Sequence, residues 1–131
     1  MTEEAQILDQ LGSRAKQTLE ALYRLGQASA REILEEVEDL PSYSATRSVL
    51  RELHKKGLVQ RTERGFKYVY SPTVPRKEVS RSVLRSVLDN FFDGSPEKTM
   101  EALMDLSRGR KQKLDLERLE ELIEKARKEG R

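Results

Sequence analysis

Apolar positions recur along this chain first at helical and then at strand spacing. The segment around which the rest is arranged is Ser44–Lys56, SATRSVLRELHKK. Wound at about 100° per residue, it places Ser44, Arg47, Ser48, Arg51 and Lys55 on one side and Thr46, Val49, Leu50 and Leu53 on the other. One face is hydroxyls and long cations, the opposite face is mostly aliphatic, and Glu52 lies on the flank. Upstream, Ser13–Leu25 turns Ala15, Leu19, Leu22 and Tyr23 to one side, with Ser13 as the expected N-cap and Gly26 as the stop. Ser29-Ala30-Arg31-Glu32 is an S-x-x-E capping box that opens a helix with Ile33, Leu34 and Val37 inward. Pro41-Ser42-Tyr43 reads as a turn, Ser44 as the cap of the third helix, and Gly57 as its end. Met1–Gln10, with Ile7 and Leu8 leading to Leu11, reads as a short helix or a tail.

After Gly57 the period falls to 2. Leu58–Thr62 and Phe66–Tyr70 read as strands joined by Glu63-Arg64-Gly65, a three-residue hairpin loop in which Gly65 takes positive φ. Phe66, Tyr68 and Tyr70 alternate with Lys67 and Val69, and the stripe is expected to pack on the core rather than serve as a base-stacking platform. Three short helices, the third basic, followed by a hairpin make a winged helix-turn-helix. Two prolines within Ser71–Pro75 mark a boundary, giving a DNA-binding domain over residues 1–74 and a helical domain over 75–131. The fold class is therefore mainly α with a small β-hairpin.

The second part returns to helical spacing. Arg76–Phe92 carries Val79, Val83, Leu84, Val87, Leu88, Phe91 and Phe92, and Asp93-Gly94 breaks it. Ser95-Pro96 restarts a helix with Met100, Leu103, Met104 and Leu106; a basic loop surrounds Gly109. Asp115 caps a last helix, with Leu114 and Leu119 as a hydrophobic staple and Leu116, Leu122, Ile123 and Ala126 along its stripe. The 56 residues from 76 to 131 are too few to close a good core alone. Their expected use is dimerisation through Val83, Val87, Leu88, Phe91, Phe92, Leu103, Leu119, Leu122 and Ile123. A symmetric dimer sets two recognition helices about 34–36 Å apart, one turn of DNA, on an inverted repeat.

Composition sharpens this picture. Charged residues make up 37% of the 131 and mean hydropathy is −0.75. No apolar run reaches the roughly 18 residues of a membrane span, no signal-peptide pattern opens the chain, and it contains no cysteine. A cytoplasmic protein with no membrane partner and no cofactor is the expectation. The net charge of +2 hides an asymmetry: residues 1–43 hold 4 Lys/Arg against 9 Asp/Glu, 44–81 hold 10 against 3, and 82–131 hold 11 against 11. The positive field sits on the segment with the basic helix, as a polyanion partner requires. Candidate DNA contacts are Ser44, Ala45, Arg47, Ser48, Arg51 and Lys55 on the helix and Arg61, Arg64 and Lys67 on the wing.

Other chemistries are poorly supplied. Glu35, Glu36, Glu38 and Asp39 point in different directions on a helix and have no histidine nearby, so they read as a solvated face rather than a metal site. His54, the only histidine, has no paired nucleophile, and no phosphate-binding glycine loop appears, so the chain does not read as an enzyme. Two methionines and two phenylalanines of the C-terminal half could line an effector pocket, although core packing is the expected role. The competing classes are a winged-helix protein-interaction adaptor and a nonspecific DNA-binding protein.

The order and spacing of LEALYRL (Leu19–Leu25), ASAREILEEV (Ala28–Val37), YSATRSVLRELHKKGLV (Tyr43–Val59), GFKYVYSP (Gly65–Pro72) and FFDGS (Phe91–Ser95) resemble the penicillinase-repressor family. That family includes β-lactamase and methicillin-resistance repressors and copper-responsive relatives. The resemblance implies a homodimeric winged-helix repressor at an inverted-repeat operator, released by an inducer or a protease not identifiable from the chain. Members released by proteolysis are cut at an Asn-Phe bond, which by spacing falls near Ala102-Leu103 here. Asn90-Phe91 is the only such pair and lies upstream, which argues against that release. The copper-responsive relatives carry C-terminal cysteines, and this chain has none.

Overall fold

The computed structural model describes residues 11–110 and 113–130, so the expected helix or tail over Met1–Gln10 lies outside the described residues. Helix α1 is Ser13–Leu25, and its cap is Gly12 rather than Ser13, which sits one position inside and caps nothing. Gly26 closes it at φ 84°, donating its N–H to the Leu22 carbonyl at 2.8 Å. Strand β1, Ala28–Ser29, runs directly into α2, Ala30–Glu36. The capping box forms in both directions: the Glu32 N–H donates to Ser29 Oγ at 3.3 Å and the Ser29 N–H to Glu32 Oε1 at 2.9 Å. Helix α3, Tyr43–Lys55, begins before the expected Ser44 because Ser42 is the cap, accepting from the Ala45 N–H at 3.1 Å. Gly57 follows the helix at φ 77°.

The core lies where these helices cross. Leu19, Leu22, Ile33, Leu50, Leu53 and Leu58 are buried, and Thr46 is buried with its hydroxyl donating to the Ser42 carbonyl at 2.9 Å. Each fully buried Leu or Ile contributes about 1.5–3 kcal/mol relative to exposure, enough for this small cluster to fix how the helices pack. Val49, expected inward, is half-buried against the cluster, as is Tyr23.

The hairpin comprises β2, Val59–Arg64, and β3, Lys67–Pro72. Both strands are shifted from expectation and the loop is shorter: Arg64 pairs with Lys67, leaving only Gly65-Phe66 between them. Gly65 has φ 64° at the first central position, as a II′ turn demands. Strand β1 pairs antiparallel with β3, giving a three-stranded sheet in the order β1-β3-β2. The hairpin's open end is tied to the end of α3, with Thr73 Oγ1 donating to the Gly57 carbonyl at 2.7 Å and the Thr73 N–H to Leu58 O at 3.1 Å.

The aromatic stripe does not pack as expected. Tyr70 alone is buried; Tyr68 is exposed and Phe66, at the turn, is 110% exposed. A two-residue turn carries Phe66 past the end of the sheet, where no core lies beneath it.

Helix α4, Arg76–Phe91, contains the division between two compact units, one ending at Arg85 and the other Ser86–Arg131. The second unit continues through α5, Pro96–Ser107, capped by Ser95 with Pro96 in the first turn, to α6, Leu116–Lys128, capped by Asp115. Asp93 (φ 54°) and Gly94 (φ 70°) make the break before α5. Among the described residues no helix is long and apolar enough to cross a membrane.

Candidate nucleic-acid interface

Helix α3 turns its two faces as its sequence requires. Thr46, Leu50 and Leu53 face the core, which leaves Ser44, Arg47, Ser48, Arg51 and Lys55 exposed on the opposite side, with Ala45 half-buried at the edge. The only acid of α3, Glu52, is ion-paired to Lys56 at 3.1 Å. Arg47, Arg51 and Lys55 have no ion pair among the described residues, so the exposed face keeps its positive charge.

The wing cations divide between two faces of the hairpin. Residues directly opposite in an antiparallel pair share a face. Arg64 and its partner Lys67 therefore share one face, and Arg61, opposite Tyr70, lies on the other with the Glu63–Tyr68 pair. The Arg61 guanidinium sits over the Tyr68 ring, 4.5 Å from its centroid. The three cations do not form the single tip cluster that their proximity in sequence suggests.

An open groove of about 500 Å³ lies between the start of α2, the start of α3 and the wing, and includes Arg31, Tyr43, Arg47, Phe66, Lys67 and Tyr68 in its lining. Arg31 and Arg47 both approach the Tyr43 ring, at 5.2 and 6.0 Å from its centroid. Arg31 and Tyr43 are absent from the sequence-derived site. Arg31 lies within a capping box and in the acidic third of the chain, and nothing in linear spacing signals that it meets the third helix. Glu32 also lines this groove; hydrogen bonds from the Ser29 N–H and then the Ser29 side chain hold its carboxyl below the usual carboxylate range, with Lys67 adding to the effect.

Elsewhere the surface offers less chemistry. Among the described residues no group of three or more His, Cys, Asp or Glu could hold a metal ion. Met100, Met104 and Phe91 are exposed and Phe92 is half-buried, so among the described residues they are not packed into a core as expected.

A comparison with curated proteins finds no match. The profile of the family described as penicillinase repressor matches residues 11–125, covering the winged helix and most of the C-terminal helices. With this match and its winged-helix fold, the chain belongs to the penicillinase repressor family, a family of DNA-binding transcriptional regulators.

Proposed function

We propose that the chain is a homodimeric repressor that occupies an inverted-repeat operator and excludes polymerase. The observation that carries this reading is the exposed outer face of α3, cationic and, among the described residues, free of ion pairs at Arg47, Arg51 and Lys55. In the proposed complex Ser44, Ala45, Arg47, Ser48 and Arg51 enter the major groove, where arginine forks match guanine edges and hydroxyls serve as donors or acceptors. Lys55, Arg61, Arg64 and Lys67 meet phosphates. Residues 1–74 form the DNA-binding part and 75–131 the dimerising part, through the apolar stripes around Val83, Val87, Leu88, Phe91, Phe92, Leu103, Leu119, Leu122 and Ile123. Two subunits neutralising roughly 6–10 phosphates give an affinity that falls steeply with salt. The cytoplasm is the compartment in which this activity operates.

Selection of bound sites from a random double-stranded DNA pool, with the full chain at physiological salt, tests the reading. An enriched inverted repeat with half-sites one turn apart supports it. No enrichment by a folded protein that still binds DNA makes it a nonspecific binder. A folded protein with neither DNA binding nor heparin retention is instead a protein-interaction module.

A further inference from the structure

We propose that Arg31, carried on α2, is a phosphate contact that adds a third DNA-binding element to α3 and the wing, and that Tyr43 is the positioning residue that holds it there. The inference rests on the DNA-binding reading above and extends it to an element outside α3 and the wing. Two guanidinium groups, of Arg31 and Arg47, lie at 5.2 and 6.0 Å from one ring centroid. Like charges gathered at one point repel, and neither arginine has a carboxylate within ion-pair distance among the described residues. The negative face of the Tyr43 ring draws both cations.

A guanidinium stacked on a ring uses its face and leaves the N–H groups at its edge free. Arg31 and Arg47 are both exposed, so those donors are open to an incoming group. Lys67 from the wing lines the same groove. Two acids line the same groove: Glu32 accepts from the Ser29 N–H at 2.9 Å and interacts electrostatically with Lys67, and Glu35, one turn beyond Arg31, makes no ion pair with it among the described residues, so the cations outnumber the carboxylates. Arg31 and Lys67, from two elements around one opening, complement phosphates beside the base-reading Arg47, and arginine forks suit phosphate oxygens. Arg31 stands on α2, the helix preceding the base-reading one, and in helix-turn-helix geometry that helix crosses the DNA backbone. Its target is therefore phosphate, and its contribution is independent of sequence.

The test measures binding of the full chain to two labelled duplexes, one of random sequence and one enriched by the selection, across a salt series. Arg31→Ala is expected to weaken both complexes by the same factor and to reduce the slope of log K against log salt by about 1 per chain. Tyr43→Phe keeps the ring and is expected to match the wild type. Tyr43→Ala keeps both arginines yet weakens binding, and Arg31→Ala costs less in that background than in the wild type. Unchanged affinity and slope in Arg31→Ala overturn the phosphate contact. Equal costs of Arg31→Ala in both backgrounds overturn the positioning role of Tyr43, and loss on the enriched duplex alone makes Arg31 a base reader instead. A folded wild-type chain that binds neither duplex overturns the DNA-binding reading itself.

Discussion

The Tyr23 hydroxyl donates to the Val74 carbonyl at 2.7 Å, joining α1 to the segment that enters α4 across 51 positions of sequence. The bond anchors a stretch that two prolines had marked as a boundary. Val74 is buried, and Val79 packs against the same core. Burial, and secondarily Glu78, raise the Tyr23 phenol above its ordinary value of 10.0. A folded-state value above the unfolded one makes this contribution fully present below the unfolded value and lost as pH rises through the folded one. Tyr23→Phe is expected to cost about 0.5–1.5 kcal/mol at neutral pH and to flatten the alkaline loss of stability. Urea unfolding at neutral pH and through the tyrosine range measures both, and an equally steep alkaline loss in the variant counts against the assignment.

The reciprocal cap of Ser29 and Glu32 titrates in the opposite sense. Hydrogen bonds to Ser29 lower the Glu32 carboxyl in the folded chain. Its contribution is therefore present above the unfolded carboxylate value and lost as pH falls through the lowered folded value. Ser29→Ala is expected to cost about 1 kcal/mol, because the Glu32 N–H loses its acceptor. Glu32→Gln keeps an oxygen facing the Ser29 N–H and is expected to remove this part of the acid dependence. Thermal unfolding across the carboxylate range distinguishes the two substitutions; an unaltered acid profile in Glu32→Gln rejects the linkage.

Gly65 allows the prediction of a purely conformational cost. Its φ is 64°, and an added Cβ meets nothing within 4 Å. Gly65→Val is expected to cost about 1–2 kcal/mol from the left-handed backbone alone, and Gly65→Asn less, since a short polar side chain tolerates that region. Chemical denaturation provides the comparison. Equal losses from the two substitutions indicate a lost contact rather than backbone strain. Phe66, fully exposed next to it, is expected to be replaceable by Ser within about 0.5 kcal/mol of wild-type stability.

Much of the first unit was legible because its signals are local. The capping box at Ser29–Glu32, the glycine stops after Leu25 and Lys56, and the two faces of α3 each depend on residues within one or two turns. The misplaced caps are equally instructive: Ser13 and Ser44 both precede apolar periodicity, yet Gly12 and Ser42 hold the cap positions, and only the backbone decides which side chain reaches an orphan N–H. Strand β1 is two residues without alternation, and only its partner β3 defines it. Phe66 and Tyr68 alternate with Tyr70 as core residues do, but the length of the turn carries Phe66 past the sheet, and Tyr68, on the face of buried Tyr70, is exposed under the Arg61 guanidinium. Arg31 meeting Tyr43 is tertiary proximity, which no period encodes.

Neighbouring positions on α3 separate stability from recognition. Leu50 is fully buried and Arg51, the next residue, is exposed. Leu50→Ala is expected to cost about 2–5 kcal/mol, a large share of the stability of so small a core. Arg51→Ala is expected to leave unfolding within about 0.5 kcal/mol of wild type and to weaken binding to the enriched duplex by about 1–3 kcal/mol if it reads a base. Denaturation and anisotropy on the same two variants measure the separation. A stability loss in Arg51→Ala comparable to that of Leu50→Ala places Arg51 in the core's support instead of the interface.

The second unit buries no large apolar side chain among its described residues. Phe91 is 79% exposed, Leu106 70%, and Leu116, Leu122 and Ile123 are exposed as well. Fully burying one such side chain is worth about 1.5–3 kcal/mol, so several buried across a pair of chains can offset the roughly 4–15 kcal/mol cost of association. If these stripes join two copies, folding is linked to association and the melting temperature rises with protein concentration. Ile123→Asp, which places an acid in the stripe, is expected to give monomers in sedimentation equilibrium while the first unit's helices and hairpin persist by circular dichroism. Its binding to an inverted repeat falls toward that of a single half-site, because the second recognition helix is no longer tethered. A wild-type chain that sediments as a monomer with a concentration-independent melt removes the dimer, and with it the need for an operator of two half-sites.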